Sequence, residues 1–135
     1  MGKQGQLTQM ENKMQAEAFW DGMAESYAKR PIQNMEQHDR TVERSVAYLT
    51  PEAQVLEVGC GTGTIAMRLA PHAGHVLATD LSGALLDIGR ERQSEKGVAG
   101  VTFAQHGIMD LPAGQFDMMA AYNQLQQIEK FEGAV

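Results

Sequence analysis

Apolar residues in the first third of the chain recur at helical spacing. Met10, Met14 and Ala18 fall four apart, and Trp20, Met23 and Tyr27 share a face, so the pattern predicts a helix from Met10 that Pro31 stops. A second helix fits residues 35–49. Asn34 can cap it, with Gln37 three residues on, and Met35, Val42, Val46 and Leu49 form its apolar stripe. Thr50-Pro51 ends it. Residues 1–8 are polar and carry glycines, so they read as disordered. Residues 9–50 then form a helical lid beside the rest of the chain.

After Pro51 the rhythm changes. VLEV (residues 55–58) is a short apolar strand, followed by a glycine-rich loop and a helix from about Thr64 to Ala70, closed by Pro71. HVLATD (75–80) is a second strand. Ser82 can cap the next helix, with Leu81 stapled onto Leu86, and Gly97 is a left-handed stop after Lys96. Gly89 inside that helix costs roughly 1 kcal/mol against alanine. VTFAQH (101–106) is a third strand, 110–115 a loop, FDMMAAYN (116–123) a fourth strand, and 126–131 a last helix. Strands that alternate with helices imply a parallel sheet with right-handed crossovers. The strands are nearly continuously apolar, as burial on both faces requires. The fold class is α/β, an open parallel sheet with N-terminal helices beside it.

Composition narrows the function. The 135 residues suit one domain, with 43% hydrophobic and 21% charged residues in ordinary globular balance. A formal net charge of −6 argues against bulk capture of nucleic acid or of an anionic membrane. The apolar runs are far short of the ~20 residues of a membrane span, and the N-terminus lacks an apolar signal core, so a cytoplasmic location is expected. Cys60 is the single cysteine, which leaves no intramolecular disulfide and no metal cluster. Of the nine methionines, Met14, Met23, Met118 and Met119 are expected to fill gaps in the core.

The loop GCGTG, residues 59–63, closes the first strand, and ligands of open α/β sheets sit at the carboxyl ends of strands. Gly59 permits a tight turn, and Gly61 admits a ligand to the bare backbone. The dinucleotide fingerprint G-x-G-x-x-G needs glycine at 64, where Thr stands. Glu57 lies two residues before the loop, close to where a pyrophosphate would sit, and like charges there repel. A carboxylate in that place suits a ligand with a cationic group, unless it is only an exposed strand-end charge. Asp80 ends the second strand about 20 residues on, where such sheets hold ribose hydroxyls. Its other reading is a helix-dipole charge beside Ser82.

These stretches, VLEVGCGTGTIAMRLA, HVLATDLSGALLDIGRER, VTFAQHGIMDLP and FDMMAAYNQLQQ, resemble the class I S-adenosylmethionine-dependent methyltransferases of small bacterial type, over roughly residues 17–130. The most specific part is E-x-G-x-G-x-G with an acidic residue ending the second strand. The resemblance implies a Rossmann-like sheet with helices on both faces, residues 51–135 forming the S-adenosylmethionine-binding portion. It implies that Gly59, Cys60, Gly61 and Gly63 lie against the methionine part and ribose of the cofactor. Glu57 would help hold its amino group, through water, and Asp80 would take the ribose hydroxyls. Leu81 would pack on adenine, with Ile108 and Met109 flanking it. Tyr122 and Asn123 would line the methyl-donor end. Tyr27 matches a tyrosine that closes over the cofactor, or is a core aromatic beside Met23.

Where many members carry an Asp for the adenine amino group, this chain has Gly107, with Asp110 three residues later. Where they often have histidines after the fourth strand it has Gln126 and Gln127, which are no acid or base near pH 7. No catalytic residue is identified, and His38, His72, His75 and His106 are scattered. The family sheet usually has seven strands, and four are legible here. The sheet therefore reads as truncated after the fourth strand, as a fragment or as a shortened product, with an open apolar edge that invites a homodimer. The reading is a methyltransferase, or its cofactor-binding portion, acting on a small-molecule acceptor. A non-catalytic nucleoside- or S-adenosylmethionine-binding module stays open beside it. An NAD-dependent oxidoreductase is disfavoured by Glu57 and Thr64.

Overall fold

The computed structural model describes residues 2–29 and 35–122. Two helices lead, α1 (Gly2–Lys29) and α2 (Met35–Val46). They are followed by β1 (Gln54–Val58), α3 (Thr64–Leu69), β2 (His75–Asp80), α4 (Gly83–Lys96), β3 (Val101–Gln105) and β4 (Met118–Ala120). The four strands are parallel, in the order β3-β2-β1-β4. The chain steps outward from β1 to β3 and then crosses back to the other side of β1. The crevice where that direction reverses, at the carboxyl ends of β1 and β4, is where open α/β sheets bind ligands.

Register assigns the side chains to faces. Val55 pairs with Val76 and Met118, Glu57 with Ala78 and Ala120, and Val76 and Ala78 with Val101 and Phe103. Apart from Glu57 and Ala120, these residues join one core cluster with Val42 of α2, Ile65, Ala66, Met67 and Leu69 of α3, and Leu86 of α4. The opposite face carries Leu56 and Val58, both buried, then Leu77 and Met119. Helices α2, α3 and α4 thus share a single core with one face, and the second helical layer of the fold class is not among the described residues.

Several boundaries match the sequence pattern. Ser82 caps α4 by accepting the Leu85 N–H, and Gly97 ends it at φ 64°. Others shift. α1 starts at Gly2, so residues 2–8, expected to be disordered, are helical; Lys3, Gln4, Gln6 and Leu7 are adequate helix formers. β4 spans three residues rather than eight. Asp117 explains its start: its N–H donates to the Gln54 carbonyl at 2.7 Å, and its carboxylate accepts the Gln54 N–H at 2.8 Å. The expected core methionines divide. Met23 and Met118 are half-buried, whereas Met14 and Met119 are 65% and 62% exposed. Met119 falls on the face opposite Met118 because strand side chains alternate. The Asn34 cap, Pro31 and the 126–131 helix lie outside the described residues.

Candidate functional site

The loop after β1 is held by β2. All three loop glycines have positive φ, 68° at Gly59, 59° at Gly61 and 77° at Gly63, a backbone that side chains disfavour. The Cys60 N–H donates to the Thr79 carbonyl at 2.9 Å, and the Gly61 N–H to Asp80 Oδ2 at 2.9 Å. Asp80 Oδ1 accepts the Ser82 N–H, also at 2.9 Å. The carboxylate is therefore fixed through both oxygens. Each oxygen retains acceptor capacity for a hydroxyl.

Gly63 has a packing role. A Cβ there would meet the Phe103 ring at 2.4 Å, and one at Gly89 would meet the same ring at 2.7 Å and the Thr62 carbonyl at 2.9 Å. The glycine inside α4 is thus the condition for that helix to close over the loop.

Glu57 is 2% exposed, not the strand-end surface charge of the alternative reading. Its strand neighbours Ala78 and Ala120 leave room for a long side chain. Burial, and secondarily the Asp80 charge, push its carboxyl up to about 8. Its Oε2 is buried and has no hydrogen-bond partner. Cys60 is buried too, its thiol pushed up by burial and then by the charges of Glu57 and Asp80. A thiol held neutral in this way is not a nucleophile. Tyr122 stands just past β4 with its hydroxyl 2.5 Å from Ser45 Oγ of α2. Burial raises its pKa, the Ser45 bond opposes that, and the Glu57 charge adds to it. Asn123 and the side chain of Tyr27 lie outside the described residues.

Next to Asp80, a cavity of about 280 Å³ is lined by Lys13, Glu17, Leu81, Gln105, His106 and Gly107. Leu81, expected to pack on adenine, and Gly107 both lie on its wall. Ile108 and Met109 form a short 3-10 turn with Asp110 and are 55% and 97% exposed.

The polar wall contributed by α1 was not foreseen. Lys13, Glu17 and Asp21 fall four apart, on one helix face. Asp21 Oδ1 accepts from Ser82 Oγ at 2.6 Å and from the Ala84 N–H at 3.1 Å, so α1 caps α4. Arg92 of α4 returns the contact, donating to Thr62 Oγ1 and to the Ala28 carbonyl. A search for apolar periodicity passes over such a stripe, whereas the charged residues at i, i+4 and i+8 would have shown it. Among the described residues no group of three His, Cys, Asp or Glu side chains could hold a metal ion.

Comparison with known proteins gives the family. The magnesium-protoporphyrin O-methyltransferase of Rhodobacter capsulatus is 35% identical over 72 residues, which cover 53% of this chain and 32% of the relative. A crystal structure of the magnesium protoporphyrin IX methyltransferase of Synechocystis PCC 6803 with bound SAM shares the fold at TM-score 0.64 and 21% identity, over 81% of this chain and 60% of that one. The cyclase SpnF also shares the fold, at TM-score 0.65 and 21% identity, over 79% of this chain and 48% of that one. The chain spans about a third of the length of the curated relative. Residues 55–134, more than half of the chain, match the family described as a methyltransferase domain, and the chain belongs to that family.

Proposed function

We propose that the crevice binds S-adenosylmethionine and that the chain is the cofactor-binding portion of a methyltransferase with a small-molecule acceptor. The observation that carries this is Glu57, a buried carboxyl with an oxygen lacking a partner, beside a glycine loop tied to Asp80. An unpaired buried carboxyl is costly, and a cationic amino group relieves that cost. A pyrophosphate offers no cation to relieve that cost and would disfavour ionisation of Glu57 still further, which disfavours the NAD-dependent alternative.

In this reading Asp80 accepts the ribose hydroxyls, already aligned by the Gly61 and Ser82 amides. Gly59, Cys60 and Gly61 present bare backbone to the methionine part, and Leu81 packs on the adenine. When bound, the cofactor supplies an activated methyl group on a sulfonium centre. The protein then needs chiefly to align an acceptor and exclude water. Tyr122, pinned to Ser45, borders the crevice near Glu57. The small-molecule acceptor class rests on the protoporphyrin relative. A binding-only module is the second reading, favoured by a β4 that meets no strand on its far side among the described residues. We further propose a homodimer through the β4 edge.

Calorimetry with S-adenosylmethionine, S-adenosylhomocysteine and NAD tests the ligand. Binding of the first two without NAD is expected, and tighter NAD binding would overturn the reading. Asp80→Ala should weaken binding roughly tenfold to hundredfold, the worth of charge-assisted hydrogen bonds. The 135-residue chain alone is expected to show little methyl transfer across a panel of small acceptors. Turnover at ordinary enzyme rates would exclude the binding-only module.

A further inference from the structure

The glycine loop is held from two sides. From β2, the Thr79 carbonyl accepts the Cys60 N–H and Asp80 accepts the Gly61 N–H. From α4, Arg92 Nη1 donates to Thr62 Oγ1 at 3.0 Å. Three residues before Arg92, on the same helix face, α4 lies on Thr62 with bare backbone: a Cβ at Gly89 would meet the Thr62 carbonyl at 2.9 Å.

The same guanidinium reaches out of the loop with its other arm. Arg92 Nη2 donates to the Ala28 carbonyl at 2.7 Å. Ala28 is in the last turn of α1, where the final carbonyls have no partner within the helix and the helix dipole favours a cation. Two turns earlier on that face Asp21 does the converse, accepting from Ser82 Oγ and the Ala84 N–H at the start of α4. Each helix thus caps the other, and Ala24 between the two caps is 2% exposed. The cap at Arg92 shares its guanidinium with the loop. That group is planar and rigid, so it fixes Thr62 and Ala28 relative to each other.

We infer that Arg92 is a positioning residue for the glycine loop, coupling the docking of α1 to the shape of the loop, so that the C-terminal end of α1 contributes to ligand affinity through Thr62. This deepens the proposed cofactor reading and rests on it. Such coupling is reciprocal: a ligand that favours the held loop favours the docked helix by the same factor.

The test uses S-adenosylhomocysteine and variants of the full chain. Thr62→Val keeps the volume of a residue that is 6% exposed and leaves the Arg92–Ala28 bond in place, so it cuts the link and spares the contact between the helices. Arg92→Met cuts both. In calorimetry Thr62→Val should bind S-adenosylhomocysteine roughly threefold to tenfold more weakly than the unmodified protein, the worth of one hydrogen bond. Adding Arg92→Met to Thr62→Val should weaken binding little further, because both remove the same link. Hydrogen exchange of the amides of residues 21–29 should slow on ligand binding in the unmodified protein and not in Thr62→Val. Thr62→Val alone decides the matter if Arg92→Met fails to fold. Unchanged affinity in Thr62→Val, or an exchange still slowed there by the ligand, would overturn the inference and leave Arg92 a staple between two helices. Additive losses in the double variant would overturn it too, because Thr62 would then act on the ligand directly. Failure of the unmodified protein to bind S-adenosylhomocysteine is a different result, overturning the cofactor reading itself and this inference with it.

Discussion

β1 and β4 are hydrogen-bonded neighbours, yet they end in different surroundings. Val55 through Val58 are all buried, and β1 feeds a loop whose amides are tied to Thr79 and Asp80 of β2. β4 pairs with β1 over three residues, exposes Met119, and meets no strand on its far side among the described residues. The proposed cofactor side of the crevice is closed by contacts within residues 13–110. The side where an acceptor would enter in that reading has no comparable set among the described residues. In the proposed reading, binding and transfer therefore fall to different stretches of chain, and each prediction below acts on one side of β1.

The largest effect should come from the packing that closes the cofactor side. Gly63→Ala combines a left-handed backbone with a 2.4 Å approach to the Phe103 ring. Backbone strain and overpacking together should cost roughly 2–6 kcal/mol. Gly89→Ala, without the backbone strain, should cost less. Denaturant unfolding measures both. Phe103→Leu should recover part of the Gly89→Ala loss, since the two substitutions share one volume, and purely additive losses would show that the ring is not the obstacle.

The next effect is set by pH. The unfolded Glu57 carboxyl titrates near 4.5 and the folded one at about 8, because burial and Asp80 disfavour its charge. Between those values the folded state holds a proton that the unfolded state has released. Stability of the ligand-free protein therefore falls as pH rises through that window and levels off above it. Glu57→Gln stays neutral throughout, so it should flatten the profile and leave the variant more stable at pH 9, by roughly 2–4 kcal/mol. An unchanged profile would mean that the carboxyl titrates normally. Binding of S-adenosylmethionine should release a proton at pH 7, detectable as a buffer-dependent calorimetric heat, and Glu57→Gln should abolish that dependence.

Much of the cofactor side was legible in the sequence because its signals are local. A glycine loop after an apolar run, an acid ending the next strand, Ser82 before a helix and Gly97 after it each depend on neighbours a few residues away. Glu57 stood out in the sequence by its place before the loop, but its burial did not, because Ala78 and Ala120 determine it from separate strands. Lys13, Glu17, Asp21 and Gln105 escaped because their partners lie 61 to 97 residues away in the chain for all but one of their contacts, as with Glu17–Gln105 and Asp21–Ser82. β4 was expected too long because FDMMAAYN is apolar apart from Asp117 and Asn123, and apolar character marks burial more than strand length.

The smallest effect belongs to the outer edge of β4. Met119 is 62% exposed on a strand whose outer edge meets no other strand among the described residues, and burying a whole methionine side chain stabilises by roughly 1.5–3 kcal/mol. Two copies paired edge to edge would bury two such residues, but association costs at least ~4 kcal/mol in lost freedom. The opposing terms nearly cancel, so the homodimer should form only at high concentration. Met119→Lys, which places a charge at the edge, should remove it without affecting S-adenosylhomocysteine binding. Sedimentation over a wide concentration range measures this. A protein that remains monomeric throughout would show that the edge is covered within its own chain, and the two sides of β1 would then differ less than residues 35–122 suggest.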